Sequence, residues 1–232
     1  IALLEHCVRE DLNSKAERRM AVLNPLKITI QNFDGDNTDW LEAPNHPKDE
    51  TFGSRKVPFT KEIYIEKDDF MEDPIPKFFR LSPGKEVRLR YGYIIKCIEV
   101  KKHHDSGEII ELICTYDPKT RGGNTPDGRK VKGTIHWVSA SKNLNAEVRL
   151  FDRLCSEPNP DIPSEESLDK ILNPNSLEII KSAKLEHELE KAESGNLFQF
   201  ERVGFFCVDN EDSTSENLIF NRTATLRDNW SK

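Results

Sequence analysis

Between Leu26 and Ala140 the chain is built from short runs of β-branched and aromatic residues, each cut off by Gly, Pro, Asp or Asn. The runs are LKITI, KVPFTKEIYIEKDDF, EVRLRYGYIIKCIEV, EIIELICTYD and VKGTIHWVSA. Leu26, Ile28 and Ile30 alternate with polar residues, the period of a strand that buries one face, and Asn24-Pro25 is the break before them. Many short strands with turn signals at this spacing predict barrels or a sandwich. Ahead of them, apolar residues at positions 1, 3, 4, 7 and 8 follow helical spacing and predict a helix with one buried face. Beyond Val148, KILNPNSLEII reads as a short helix and a strand, and KSAKLEHELEKAES as a solvated helix or charged loop. NLFQFERVGFFCVD and NLIFNRTATLRD read as the two strands of a closing hairpin.

At 232 residues the chain is long enough for one large or two small domains. No run approaches eighteen apolar residues, and no basic-then-apolar leader precedes a cleavage site, so a membrane or secreted protein is not expected. Cys7, Cys97, Cys114, Cys155 and Cys207 stand singly in apolar segments, a pattern that predicts reduced, buried thiols in a cytoplasmic protein. The first residue is Ile rather than Met, and the sequence reads as a piece of something longer.

One stretch runs against the composition. From Lys77 to Lys102 there are eight Lys or Arg against two Glu, in a chain whose net charge is −7. Treated as one strand, residues 87–97 put Val87, Leu89, Tyr91, Tyr93, Ile95 and Cys97 on one face and Arg88, Arg90 and Lys96 on the other. Arg80 lies just before the turn SPGK, with Phe78 and Phe79 beside it. Guanidinium forks that pair with phosphates or base edges, next to rings on which bases stack, suit single-stranded RNA. The competing reading is a solvated edge strand whose cations discourage pairing with other chains, as in a protein-interaction scaffold.

Catalytic chemistry is hard to find. His136 alternates with apolar residues like a core histidine, His103 and His104 precede a turn, and no triad, carboxylate pair or HExxH is present. The glycine-rich RGGNTPDGRK lacks the GK[ST] ending of a phosphate-cradling loop and reads as a hairpin connector.

In order along the chain, VREDLN, RRMAVLNPLK, PNHP with GSRKVPF, KFFRLSPGKEVRLR, DGRKVKGTIHWVSA, FDRL, FQFERVGFFCVD and FNRTATLRD resemble the C-terminal anticodon-binding region of glutaminyl-tRNA synthetase. The likeness runs from about residue 5 to residue 230. The archaeal and eukaryotic type of glutamyl-tRNA synthetase shares the architecture, but GTIHWVSA and FQFERVGFFCVD look more like the glutaminyl branch. The resemblance implies a mainly β fold of two six-stranded antiparallel barrels behind a short helical segment. It implies the end of a helical subdomain at 1–23, a proximal barrel at 24–72 and 143–232, and a distal barrel at 73–142. It also implies that the His-x-Gly-His and Lys-Met-Ser-Lys-Ser signatures, with the ATP and Mg they serve, belong to an N-terminal catalytic domain outside this chain. The chain itself then needs no cofactor or metal, is inactive alone, and has tRNA(Gln) and that catalytic domain as partners, with no DNA and no membrane.

Carried over by position, Arg18 resembles the arginine that holds the central anticodon base, and Gln199 and Arg202 resemble its partners there. Arg80 resembles the arginine at the third base, and Arg88 and Arg90 resemble arginines around the first base and its phosphate. Asn13 matches a nearby polar contact. Two positions depart from the bacterial pattern of Gln and Lys: Lys77, still counted in the contact set, and Phe79, a ring suited to stacking. Gln199 and Arg202 would face opposite sides of a regular strand, so both reach one base only through a bulge or a strand end. The structural alternatives are a helix C-terminus for Arg18 and an ion pair for Arg202.

Overall fold

A computed structural model describes residues 2–35, 37–156 and 171–227. Helix α1 (Ala2–Lys15) is followed by β1 (Glu17–Arg19), β2 (Ala21–Val22), β3 (Pro25–Ile30), β4 (Asp39–Pro44), β5 (Ser54–Phe59) and β6 (Glu62–Glu66). Next come β7 (Glu86–Leu89), β8 (Ile94–Lys102), β9 (Ile109–Asp117), β10 (Thr134–Ile135) and β11 (Val138–Ser139). The last are β12 (Asn143–Phe151), β13 (Leu177–Glu186), β14 (Leu197–Phe200), β15 (Gly204–Val208) and β16 (Ile219–Thr225). They form two seven-stranded sheets, in the orders β1-β14-β15-β16-β12-β13-β2 and β10-β7-β8-β9-β3-β6-β11, with β4 and β5 as a separate ribbon. The mainly β, two-barrel expectation therefore holds, with seven strands per sheet rather than six. Each sheet also includes two parallel pairs: β1 with β14 and β12 with β16, and β10 with β7 and β3 with β9.

In each sheet the two outer strands are joined by a short piece of chain. Glu17–Arg19 is one outer strand of the first sheet and Ala21–Val22 the other, so a single residue, Met20, joins its two edges. In the second sheet Thr134–Ile135 and Val138–Ser139 are the two edges, joined by His136 and Trp137. Consecutive Cα atoms are about 3.8 Å apart, so the sheet margins meet at these joints. Met20 and Trp137 are fully buried there, and the Trp137 indole N–H donates to the Arg90 carbonyl at 2.9 Å.

Strand pairing sets the boundary between the barrels differently from the expected division. Pro25–Ile30 and Glu62–Glu66 hydrogen-bond with each other and with β9 and β11, so they belong with 86–139 and not with 143–232. Their alternate residues Leu26, Ile28, Ile30, Ile63 and Ile65 complete the second core, around Phe59 and Trp137. The first core gathers Phe200, Phe206 and Phe220. Helix α1 packs in a separate small cluster, where Leu12 and the following Ala16 meet Phe205 and Ala224, while Leu3, Leu4 and Cys7 face solvent, so its buried face is narrower than the spacing suggested.

Three further expectations change. Residues 181–186 continue β13, because Ala183 and Leu185 alternate inward beneath a run of charges. NLFQFERVGFFCVD is itself a hairpin, β14 and β15, and β16 adds a third strand. The 87–97 strand is broken at Leu89–Tyr93 by a tight turn, closed by bonds from Gly92 N to Leu89 O (2.9 Å) and Leu89 N to Tyr93 O (2.8 Å). Among the cysteines, Cys97 and Cys114 are buried as cross-strand neighbours, Cys155 and Cys207 are half-buried and Cys7 is exposed. No described helix is long and apolar enough to cross a membrane.

Candidate functional site

The turn Glu201–Val203 between β14 and β15 plugs into the second sheet, and it decides where two of the expected residues go. Arg202 sits there with φ 69°, the strand-end position that its spacing from Gln199 requires. Its guanidinium is not open, however: Nη1 and Nη2 donate to the two carboxylate oxygens of Asp69, each at 2.6 Å. Nη1 also approaches His136 Nδ1 at 3.2 Å, so that nitrogen accepts and Nε2 donates toward Glu66 at 3.4 Å. His136 is thus the core histidine expected. Arg202's partners follow β6 (Asp69) and join β10 to β11 (His136), and Arg202 does not line the groove with Gln199 described below.

Its neighbour Glu201 is likewise buried, and Arg90 Nε approaches its carboxylate at 2.5 Å. The Tyr91 hydroxyl donates to the same carboxylate. Burial and then Glu201 push the Tyr91 phenol up to about 12. Burial opposes the charge on Arg90, but Glu201 and Tyr91 outweigh it and hold its pKa above the ordinary arginine value. Arg88 and Arg90 both donate their backbone N–H to the β10 segment, to Gly133 O at 3.0 Å and Ile135 O at 2.9 Å, but their side chains meet different partners. Arg88 packs over Gly123, where an added Cβ would stand 2.7 Å from its Cδ, and its buried Nε has no hydrogen-bond partner among the described residues.

Arg18 and Gln199 are brought together, as the carried-over roles require: they are register partners on β1 and β14. Arg18 is 5% exposed and donates to Ala16 O (2.5 Å), Asn13 O (3.0 Å) and Asn13 Oδ1 (2.7 Å), so it also closes the C-terminus of α1. Burial lowers its pKa, and Glu201 partly offsets that. Asn13 and Gln199 line a groove of about 470 Å³ together with Arg9 and Arg227. His46 supports it: Nδ1 accepts from Asp49 N at 3.0 Å, so Nε2 donates to Asn13 O at 3.0 Å.

The second corner lies on the other sheet. Lys77, with φ 70°, and Arg80 line a pocket of about 660 Å³ with Lys85, Lys96, Lys130 and Lys132. Arg80 reaches the Asp68 carbonyl at 2.9 Å and Asp69 at 3.3 Å, and its guanidinium lies 5.9 Å from the Phe78 ring centre. Asp69 therefore holds Arg80 and Arg202 from the two sheets at once. Phe79 is half exposed.

Charge pairing separates this pocket from the rest of the basic run. Lys101 pairs with Glu111, Lys102 with Glu72, and Lys67, outside the run, with Glu108. Lys77, Lys85, Lys96, Lys130 and Lys132 have no carboxylate partner among the described residues, and the pocket's one acid, Glu86, is taken by Arg129. Sequence reasoning misses Lys130 and Lys132 because they fall in two different segments, the RGGNTPDGRK connector and the strand run VKGTIHWVSA. The trace of them in the sequence is the RKVK run at 129–132.

Residues 16–117 match the family described as "tRNA synthetases class I (E and Q), anti-codon binding domain", and residues 134–209 match a second family of the same description. Among similar proteins, the glutamine–tRNA ligase of Bradyrhizobium diazoefficiens is 53% identical over 232 residues, all of this chain and 41% of the relative. Those of Psychromonas ingrahamii and Haemophilus influenzae are each 50% identical, over 230 residues (99% of this chain, 41% of the relative) and 227 residues (98% and 40%). The chain thus spans about 40% of the length of these relatives.

Proposed function

The chain belongs to the anticodon-binding domain family of the class I tRNA synthetases for glutamate and glutamine, and from that membership we propose that it reads the anticodon of tRNA(Gln) for a glutamine–tRNA ligase. The observation that carries this reading is the pocket of unpaired lysines beside Arg80 and an exposed aromatic ring, in a chain of net charge −7. Unpaired ammonium groups crowded into one pocket repel one another, and a polyanion relieves that cost.

Asn13, Arg18 and Gln199 form one base-reading corner, and Lys77 and Arg80 the other, with Arg88 nearby. Arg90 and Arg202 are already held by carboxylates, and their main role is to fix the two sheets against each other. ATP and Mg act in the remaining part of the full-length cytoplasmic enzyme, where glutamine is attached to the tRNA.

A mobility-shift titration with tRNA(Gln) and with an anticodon-changed transcript tests the reading. The expected result is tighter binding of the first, with a log–log salt slope of about −2 if roughly three single-strand phosphates are neutralised. Equal binding of both RNAs, or a flat salt response, refutes it. Arg80→Ala narrows the difference between the two RNAs, whereas Lys101→Ala, whose ammonium is paired with Glu111, leaves it unchanged.

A further inference from the structure

Phe78 and Phe79 are adjacent but serve different ends. Phe78 is half-buried, its backbone N–H donating to Ile75 O at 3.1 Å, and it underlies Arg80. Phe79 turns outward into the basic pocket. The Lys132 ammonium stands 4.7 Å from its ring centre, yet the residue remains 50% exposed. An exposed phenyl ring ringed by unpaired ammonium groups serves no core.

Its backbone is held firmly. Gly133 presses on the Phe79 carbonyl so closely that an added Cβ would lie 1.9 Å from the oxygen, and Gly133 O accepts from Arg88 N at 3.0 Å on β7. A strand edge and a close backbone contact therefore place the Phe79 backbone at the pocket. The same segment, through Lys130 and Lys132, supplies the cations around it. An aromatic plane flanked by cations is the arrangement that binds single-stranded nucleotides, the ring taking the base and the ammonium groups the phosphates. The pocket, about 660 Å³, is within the roughly 300–1,000 Å³ of small-ligand sites.

Resting on the RNA-reading assignment above, we propose that Phe79 is a stacking platform for one unpaired nucleotide of the bound RNA and that Lys130 and Lys132 hold the phosphates on either side of it. Stacking accepts any base, so this platform adds affinity without selectivity, and Arg80 next to it supplies the selectivity.

The test uses the 232-residue chain with the tRNA(Gln) transcript and its anticodon-changed form. Phe79→Ala is expected to weaken both RNAs by the same factor, about tenfold within a range of roughly five to a hundred, with the salt slope unchanged. Phe79→Trp keeps the affinity, and its added indole emission is quenched when RNA binds. The Lys130→Gln/Lys132→Gln double variant weakens both RNAs and makes the slope shallower by about 1.4. Wild-type affinity in Phe79→Ala, or unquenched emission in a Phe79→Trp chain that still binds, overturns the platform while leaving the RNA reading intact. Failure of the unmodified chain to bind either RNA overturns both. Phe79 is exposed, so an unchanged thermal midpoint in Phe79→Ala confirms that binding and not folding is being read.

Discussion

Replacing Arg202 by Gln separates an arginine that reads RNA from one that holds the structure together. In the native chain its fork closes on Asp69 with two 2.6 Å bonds, and the Asp69 side chain is 1% exposed. Removing one member of a buried pair costs about 3–5 kcal/mol, because the other charge is left without compensation. Two features reduce that here: the Arg202 side chain is 29% exposed, and Arg80 Nε stays 3.3 Å from the same carboxylate. We therefore expect a loss of about 2–3 kcal/mol for Arg202→Gln. Arg202→Gly should lose about 1 kcal/mol less, since the left-handed backbone at φ 69° disfavours a side chain by roughly that amount. Urea unfolding followed by far-ultraviolet circular dichroism reads both, and with a slope of about 2–3 kcal/mol per molar the Gln variant's midpoint falls by roughly 1 M. A midpoint within about 0.2 M of the unmodified chain, together with tenfold weaker binding of tRNA(Gln), would refute the reasoning and return Arg202 to the RNA-contacting set.

Gly133→Ala should be among the most damaging small substitutions in the chain. Its Cβ would overlap the Phe79 carbonyl oxygen at 1.9 Å, a backbone atom that cannot swing aside, so we expect at least the 1–3 kcal/mol typical of about one extra methyl in a packed site, read as a lowered urea midpoint. Tyr91 and Tyr93 should both ionise late, near about 12, in an ultraviolet titration of the folded chain, Tyr91 through burial and Glu201 and Tyr93 through burial and its bond to Asp39. Their folded pKa values lie above the unfolded value of about 10, so this stability is complete below pH 10 and falls as pH rises toward 12, where the unfolded chain ionises first. Unchanged stability across that window refutes the assignment.

Much of the fold was legible because burial follows alternation. Leu26, Ile28 and Ile30, and Ile63 and Ile65, point inward as their spacing requires. The turn at Leu89–Tyr93 was masked because the tyrosines on either side of Gly92 extend the strand pattern through it. Two-residue strands such as Ala21–Val22 and Val138–Ser139 are too short to carry any period. For the site, the local excess of cations was visible in the sequence but its neutralisation was not. Arg90, Lys101 and Lys102 look like Lys77 and Lys96 until Glu201, Glu111 and Glu72 are brought beside them.

The way each sheet closes has a consequence for the order in which the chain acquires its structure. The second sheet draws all of its strands from residues 25–139, so every pairing it needs is in place once that stretch has left the ribosome. The first sheet cannot finish so early, because β1 waits for β14 and β2 waits for β13, across almost the whole chain. Closing so long a loop is entropically slow and is rewarded only at the end. Refolding should therefore proceed in two phases, with the Trp137 environment restored first and the Phe200, Phe206 and Phe220 cluster completed last, and the chain leaves the unpaired margins of Glu17–Val22 open to other molecules throughout the interval.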